Sequence, residues 1–139
     1  EIYRPDFIIY DVEDSVSIFE KDSARILVKY ALQYNRPDCR VGIRINQADS
    51  PYYEDDVSSM VPLQPDFLRL PKAETAEDIK KLDVLITGIE EKHAIEIGAV
   101  KIVASIETAL GVLNSYKIED TKILVLILKL KYSKVVLIK

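Results

Sequence analysis

One cysteine, one histidine, four glycines and no tryptophan stand in 139 residues, and each scarcity removes a class of protein. A single cysteine, Cys39, closes no internal disulfide, so the expectation is a reducing, cytoplasmic setting with Cys39 as a small buried apolar residue rather than a nucleophile. With glycine only at positions 42, 88, 98 and 111, neither GxGxxG nor a P-loop can be written, and the nucleotide folds lose their phosphate-binding signature. The lone histidine, His93, falls in an expected loop after a helix, far along the chain from any strand end. It reads as a surface or structural residue, because a catalytic histidine must reach the substrate. Lysines interrupt every apolar run well short of the ~18 residues that suggest a membrane span. No basic stripe with interleaved aromatics appears in the first 116 residues, which carry a net charge of -8, so nucleic acid is not an expected partner.

What is present is enough apolar residue, 48%, to offset the ordering entropy of a folded domain, with 30% charged residues to keep its surface wet. The charge is uneven: residues 117–139 carry +4, contain no glycine or proline, and read almost wholly as Ile, Leu, Val and Lys. We therefore divide the chain into a domain over residues 1–118 and an anomalous tail over 119–139, which reads as a sixth-strand region or as a misread or joined segment. The sequence opens at Glu1 rather than methionine, close to a strand, so an upstream segment is expected.

Phe7-Ile8-Ile9-Tyr10 is a short apolar run between Pro5-Asp6 and the acidic Asp11-Val12-Glu13-Asp14, as a strand buried on both faces would be. Ser17 to Tyr34 is then an amphipathic helix, with Ala24, Leu27, Val28, Ala31 and Leu32 inward and Lys21, Asp22, Arg25 and Lys29 outward. Further strands are expected at Val41 to Ile45, Phe67 to Leu70, Lys101 to Ile106 and Ile123 to Leu128. Between them lie helices from Tyr53 to Met60, from a Thr75 cap to about Glu91, and from Thr108 through Tyr116. Thr75 with Asp78 three residues on has the form of a capping box. Alternating strands and helices argue for βα units and a parallel sheet. The first strand is followed by acids rather than a glycine-rich turn, and five strands fall short of eight, so the fold class is α/β, a partial TIM (β/α)8 barrel.

In such folds the chemistry sits at the carboxyl ends of the strands. Asp11, Glu13 and Asp14 follow the first strand, Arg44 and Asn46 end the second, Lys72 follows the third and Glu107 the fourth, which brings carboxylates, a guanidinium and an amine to one rim. Each also has a structural reading. Asp14 and Ser15 suit a helix cap, Arg44 a pairing with the acids, Lys72 a solvated loop, and Glu107 a partner for a helix dipole. Tyr52 and Tyr53, beside the loop after Arg44, suit either a substrate channel or packing.

The segments Asp11-Val12-Glu13-Asp14-Ser15-Val16 with Lys21-Asp22 and Ala24-Arg25, Arg44-Ile45-Asn46, Leu70-Pro71-Lys72, and Ile106-Glu107-Thr108-Ala109-Leu110-Gly111-Val112 resemble, in order and spacing, the citrate lyase β subunit family of the HpcH/HpaI aldolase superfamily. The resemblance implies a cytoplasmic, Mg²⁺-dependent carbon-carbon lyase that cleaves a 3-hydroxy-3-carboxyacyl thioester, as in citryl-acyl carrier protein to oxaloacetate and acetyl-acyl carrier protein. It also implies an acyl carrier protein or coenzyme A thioester as substrate partner, the other subunits of a citrate lyase complex, and a homo-oligomer of three or more copies. By the same resemblance Glu107 is a metal ligand, Arg44 holds the substrate carboxylate and keto oxygen, and Glu13 and Asp14 form the acidic pair that orders water at the metal. Arg44, Asn46 and Lys72 are the expected substrate-binding residues.

These residue types suit the reaction. Retro-aldol cleavage builds negative charge on oxygen, which a hard cation on oxygen ligands stabilises. A guanidinium grips a carboxylate with two parallel hydrogen bonds, which lysine cannot copy. The chain also departs from the family. Setting Leu124 to Leu128 on the next family strand puts Lys129-Leu130-Lys131 where Gly-x-x-Asp should supply a second metal ligand, and no aspartate stands there. Two alternatives therefore stand beside the leading reading: a malyl- or citramalyl-coenzyme A lyase of the same family, and a degenerate, non-catalytic binding or scaffold subunit.

Overall fold

A computed structural model describes residues 5–119 and 124–127. Five strands, β1 (Phe7–Asp11), β2 (Arg40–Arg44), β3 (Phe67–Leu70), β4 (Lys101–Ile106) and β5 (Leu124–Ile127), form one parallel sheet in the order β1-β2-β3-β4-β5. Helices α1 (Lys21–Tyr34), α2 (Tyr53–Met60), α3 (Ala76–Lys92) and α4 (Ala109–Glu119) make the crossovers. A doubly wound sheet reverses its strand order at a switch point, whereas a barrel wall adds each strand beside the last. The sequential order is that of a barrel wall, and the fold is a partial (β/α)8 barrel.

Side chains alternate across a strand, so each strand divides its residues between the helices and the opposite face. Ile43 and Ile45, Leu68 and Leu70, and Ala104 and Ile106 face the helices and are no more than 1% exposed. They pack in one cluster with Val28 and Leu32 of α1, Val57 and Met60 of α2, and Ile79, Leu82 and Ile86 of α3. Burying each such side chain contributes about 1.5–3 kcal/mol, and this layer holds the helices to the sheet. The alternate positions, Ile9 and Asp11, Gly42 and Arg44, Phe67 and Arg69, and Val103 and Ser105, share the other face. Phe67 meets Phe7 edge-on at 6.3 Å between ring centres. Gly42 leaves room for the Phe67 ring, since a Cβ there would lie 2.2 Å from it.

The capping box forms as expected: Thr75 Oγ1 accepts from Asp78 N at 3.2 Å, and Asp78 Oδ2 accepts from Thr75 N at 2.8 Å. The first helix departs from expectation. Ser17 caps a short 3₁₀ turn over Ile18–Glu20, and α1 begins only at Lys21, so neither Asp14 nor Ser15 is the cap. The assigned faces also shift, because Leu27 is 68% exposed while Lys21 and Arg25 are buried. Lys21 and Arg25 turn inward because partners distant in sequence await them there. Lys21 Nζ donates to Val12 O at 2.8 Å and Glu13 O at 2.7 Å, and Arg25 Nη1 donates to Asp56 Oδ1 at 2.8 Å.

Cys39 is half-buried rather than buried, and His93 is exposed at the end of α3. The strand expected over Ile123 to Leu128 is present as β5, paired in parallel with β4. Residues 120–123 and 128–139, including Lys129-Leu130-Lys131, lie outside the described residues. No helix among the described residues is long and apolar enough to cross a membrane.

Candidate functional site

The carboxyl ends of β1 to β4 gather the polar side chains of the open face. β1 ends at Asp11, whose Oδ1 accepts from Glu13 N at 2.9 Å and tightens the turn that follows. That turn is held from behind by Lys21 on the Val12 and Glu13 carbonyls and by Asn46 Nδ2, which donates to Val12 O at 3.0 Å. Asn46 is itself fixed by Asp56, a wholly buried carboxylate whose Oδ2 accepts from Asn46 N at 2.8 Å and Asn46 Nδ2 at 2.6 Å. The amide nitrogen of Asn46 is therefore spent on the turn that carries Glu13.

Arg44 closes β2 and lies inside a ring of acids. Its Nε donates to Asp11 Oδ1 at 2.9 Å and its Nη2 to Asp11 Oδ2, a bidentate pair. Arg44 Nη1 stands 3.0 Å from Glu13 Oε2, in ion-pair range but not aligned for a hydrogen bond, so that buried oxygen has none among the described residues. Asp14, the most exposed of the three acids, is 3.8 Å from Arg44. From the other side Lys72 Nζ donates to Glu13 Oε1 at 3.1 Å and lies 3.9 Å from Asp14. Glu13 is thus buried between two cations.

Lys72 holds a left-handed backbone, φ 50°, directly after Pro71. A non-glycine residue in that region carries a small conformational penalty, tolerated where the surroundings fix it. Here the Glu13 contact does so.

Burial would raise the Asp11 carboxyl, but hydrogen bonds from Arg44, the Glu13 amide and Ser15 outweigh it and hold Asp11 below the usual carboxylate range. The hydrogen bond to Asp11 raises Arg44 above its ordinary value, and the hydrogen bond to Glu13 does the same for Lys72. Both remain cations at neutral pH, which excludes Lys72 as a neutral base in this arrangement. Tyr53 is buried on α2 and lacks a hydrogen-bond partner for its hydroxyl among the described residues, and burial pushes it up to about 12. Tyr52 instead reaches the first helix, with its hydroxyl 3.4 Å from Ile18 O and its ring 5.9 Å from Lys21 Nζ. The pair packs α2 against its neighbours.

Glu107 follows β4 and meets Arg69, whose Nη2 donates to Glu107 Oε1 at 3.3 Å while its Nε donates to Ser105 Oγ at 2.6 Å. The helix after Glu107 starts close to the preceding loop because Gly111 has no side chain; a Cβ there would fall 2.6 Å from Ala73 O. The rim thus brings together Arg44, Glu13, Asp14 and Lys72 in one cluster and sets Glu107 beside it with Arg69. Sequence reasoning missed Arg69 as a site residue. Its signal was a charge inside the otherwise apolar Phe67-Leu68-Arg69-Leu70, on the side of the strand opposite the two leucines.

A divalent cation of the Mg²⁺ type takes one or two protein carboxylates and fills its remaining positions with water and substrate oxygens. Glu107 has the right donor chemistry for one such ligand, and no group of three or more His, Cys, Asp or Glu suited to a metal occurs among the described residues. The described site therefore fits part of an Mg²⁺ shell.

The chain is similar to known proteins over most of its length. The chain is 43% identical over 120 residues to citrate lyase subunit beta of Leuconostoc mesenteroides subsp. cremoris, covering 86% of this chain and 40% of that protein. It is 41% identical over 118 residues to citrate lyase subunit beta of Haemophilus influenzae, covering 84% and 40%. A malyl-CoA/beta-methylmalyl-CoA/citramalyl-CoA lyase of Chloroflexus aurantiacus is 30% identical over 115 residues, covering 78% and 32%. The chain thus spans about 40% of the length of the citrate lyase subunits it matches. Among solved structures, RipC from Yersinia pestis superposes with a TM-score of 0.66 at 27% identity, covering 87% of this chain and 51% of that one. Protein CitE from Mycobacterium tuberculosis, in complex with magnesium and acetate, superposes with a TM-score of 0.60 at 23% identity, covering 81% and 40%. The strand order, the rim and these likenesses agree with a match over residues 1–129, and the chain belongs to the HpcH/HpaI aldolase/citrate lyase family.

Proposed function

We propose that the full-length protein is a carbon-carbon lyase that cleaves a 3-hydroxy-3-carboxyacyl thioester, with citryl-acyl carrier protein giving oxaloacetate and acetyl-acyl carrier protein. The observation that carries this reading is Arg44, a fork-shaped cation fixed by Asp11 and Glu13 at the end of β2, where a substrate carboxylate would meet it. The likeness to citrate lyase subunits beta at 41–43% identity supports the citryl group over the malyl group, whose lyase lies at 30%.

The reaction balances as a retro-aldol cleavage. A base takes the proton of the 3-hydroxyl, and that oxygen becomes the keto oxygen of oxaloacetate. The bond between the carbinol carbon and the adjacent methylene breaks. Its electrons form the thioester enolate, which takes up a proton to give the acetyl thioester. Arg44 orients the carboxylate and faces the developing keto oxygen, while Lys72 supplies a further positive charge. Glu13 and Asp14 keep both cations in place and offer acceptors to ordered water. Asn46 acts through the turn it holds. Mg²⁺, with Glu107 as one ligand, would stabilise negative charge on a substrate oxygen when bound, and the magnesium in the Mycobacterium tuberculosis protein supports that cofactor.

The same reading makes the protein cytoplasmic and homo-oligomeric, working beside other citrate lyase subunits on an acyl carrier protein or coenzyme A thioester. Assaying the full-length protein with citryl, malyl and citramalyl thioesters, with and without chelator, tests it. Citryl cleavage abolished by chelator is the expected result. Preferred cleavage of malyl or citramalyl thioesters would move the assignment to the coenzyme A lyases. No cleavage of any of them would favour a non-catalytic subunit.

A further inference from the structure

Arg69 is a charged group at the carboxyl end of β3 to which the proposed reaction gives no role. Its neighbours Leu68 and Leu70 are both fully buried on the helix side, so alternation turns Arg69 to the face that carries Arg44. The register pairs Arg44 with Arg69 directly across β2 and β3, which sets two guanidinium-bearing positions side by side at the rim. Their surroundings differ. Arg44 is ringed by Asp11, Glu13 and Asp14, whereas Arg69 has one carboxylate, Glu107, at 3.3 Å, and one hydroxyl, Ser105, at 2.6 Å. Nη1 of Arg69 has no protein partner among the described residues, although the side chain is only 14% exposed. A guanidinium so enclosed ordinarily spends its fork on planar anions.

A citryl thioester carries two free carboxylates, one on the carbinol carbon and one on the remaining arm. A citramalyl thioester is identical except that a methyl group replaces the second arm's carboxymethyl. One arginine suffices for the second compound and two are apt for the first.

We propose that Arg69 is the specificity-determining residue that binds the second free carboxylate of a dicarboxylate acyl thioester, beside the first carboxylate on Arg44. The assignment rests on the lyase reading above, and it adds which part of the substrate each arginine reads. A site built around a charged hydrogen-bonding partner rejects an analogue that leaves its donors unpaired, so the discrimination should be large.

The test uses the full-length protein and the two thioesters on the same carrier, so that they differ only in that arm. Wild-type protein should favour the citryl thioester over the citramalyl thioester by about 100-fold in kcat/KM. Arg69→Gln should erase that preference, with citryl turnover falling about 100-fold further than citramalyl turnover. Arg69→Lys, which keeps the charge and loses the fork, should fall between them and gives the same readout should the glutamine variant fail to fold. An equal fall on both substrates would overturn the proposal and make Arg69 a support for Glu107 and Ser105. So would an unchanged ratio, or a wild-type preference for the citramalyl thioester. Wild-type protein that cleaves neither compound would overturn the lyase reading and this proposal together, whereas wild-type turnover with an Arg69-independent ratio overturns this proposal alone.

Discussion

On the side of the sheet that meets the helices, Ile43, Ile45, Leu68, Leu70, Ala104 and Ile106 are at most 1% exposed and packed into one apolar cluster. On the opposite side, the same strands present Asp11, Arg44, Arg69 and Ser105 toward the rim, joined there by Glu13, Lys72 and Glu107. The first set gains its free energy from area removed from water, which needs shape but no partner of particular charge. The second set gains from pairing, which fails if one member is missing. The difference teaches where to look for chemistry in a parallel α/β chain: at the polar half of an alternation whose other half builds the core.

Behind the rim, the helix side holds polar exceptions, with Lys21 and Glu90 buried there beside the largest of them, the buried chain of Arg25, Asp56 and Asn46. This buried chain is charged yet lies among core residues, so its loss should cost the most. Asp56→Ala should destabilise the protein by about 3–5 kcal/mol, since Arg25 and the Asn46 donors would lose a fully buried acceptor. Urea unfolding followed by circular dichroism measures this. A loss below about 1 kcal/mol would show that the network is an ornament on the core and that the Glu13 turn is held by other means.

The rim should respond to pH where the core does not, and here the expected effect is smaller. Asp11 titrates below its ordinary range in the folded state, so its ionised form contributes stability that is fully present above the unfolded value of about 4. That contribution is lost as the pH falls through the depressed folded value. Asp11→Asn should lower the melting temperature at neutral pH and leave a shallower decline from about pH 5 to about pH 2, so that the two proteins converge in acid. An acid limb identical to that of the wild type would remove Asp11 from the list of groups that hold Arg44.

The strands, the parallel sheet and most of the rim were legible in the sequence because each rests on local signals. Phe7 to Tyr10 and Lys101 to Ile106 are apolar runs with acids just beyond them, and Thr75 and Asp78 lie at capping-box spacing. Arg44, Glu13, Asp14 and Lys72 were expected together and are within ion-pair reach of one another. What periodicity could not reveal was the direction of Lys21 and Arg25. Both look like the wet side of a helix until Asp56, 31 residues from Arg25, and the carbonyls of Val12 and Glu13 are brought beneath them. Leu27 went the other way, onto the surface, because the inward arc of α1 is centred on Val28 and Leu32. Asn46 was expected at the substrate, yet its amide nitrogen faces Val12 and Asp56, a direction set by a helix ten residues later. Arg69 needed the strand's two faces to be distinguished before its charge carried meaning.

In the proposed reaction Arg44 acts on substrate through the fork of its guanidinium and not only as a counter-charge for the acids around it. Arg44→Lys in the full-length protein separates the two, because lysine keeps the charge and loses the two-pronged grip. Turnover of the citryl thioester and the melting temperature should be measured on the same preparation. The account predicts a fall in kcat/KM of about 100-fold or more with the melting temperature within about 4–8 °C of wild type. Turnover equal to that of the wild type in a folded Arg44→Lys protein would contradict it.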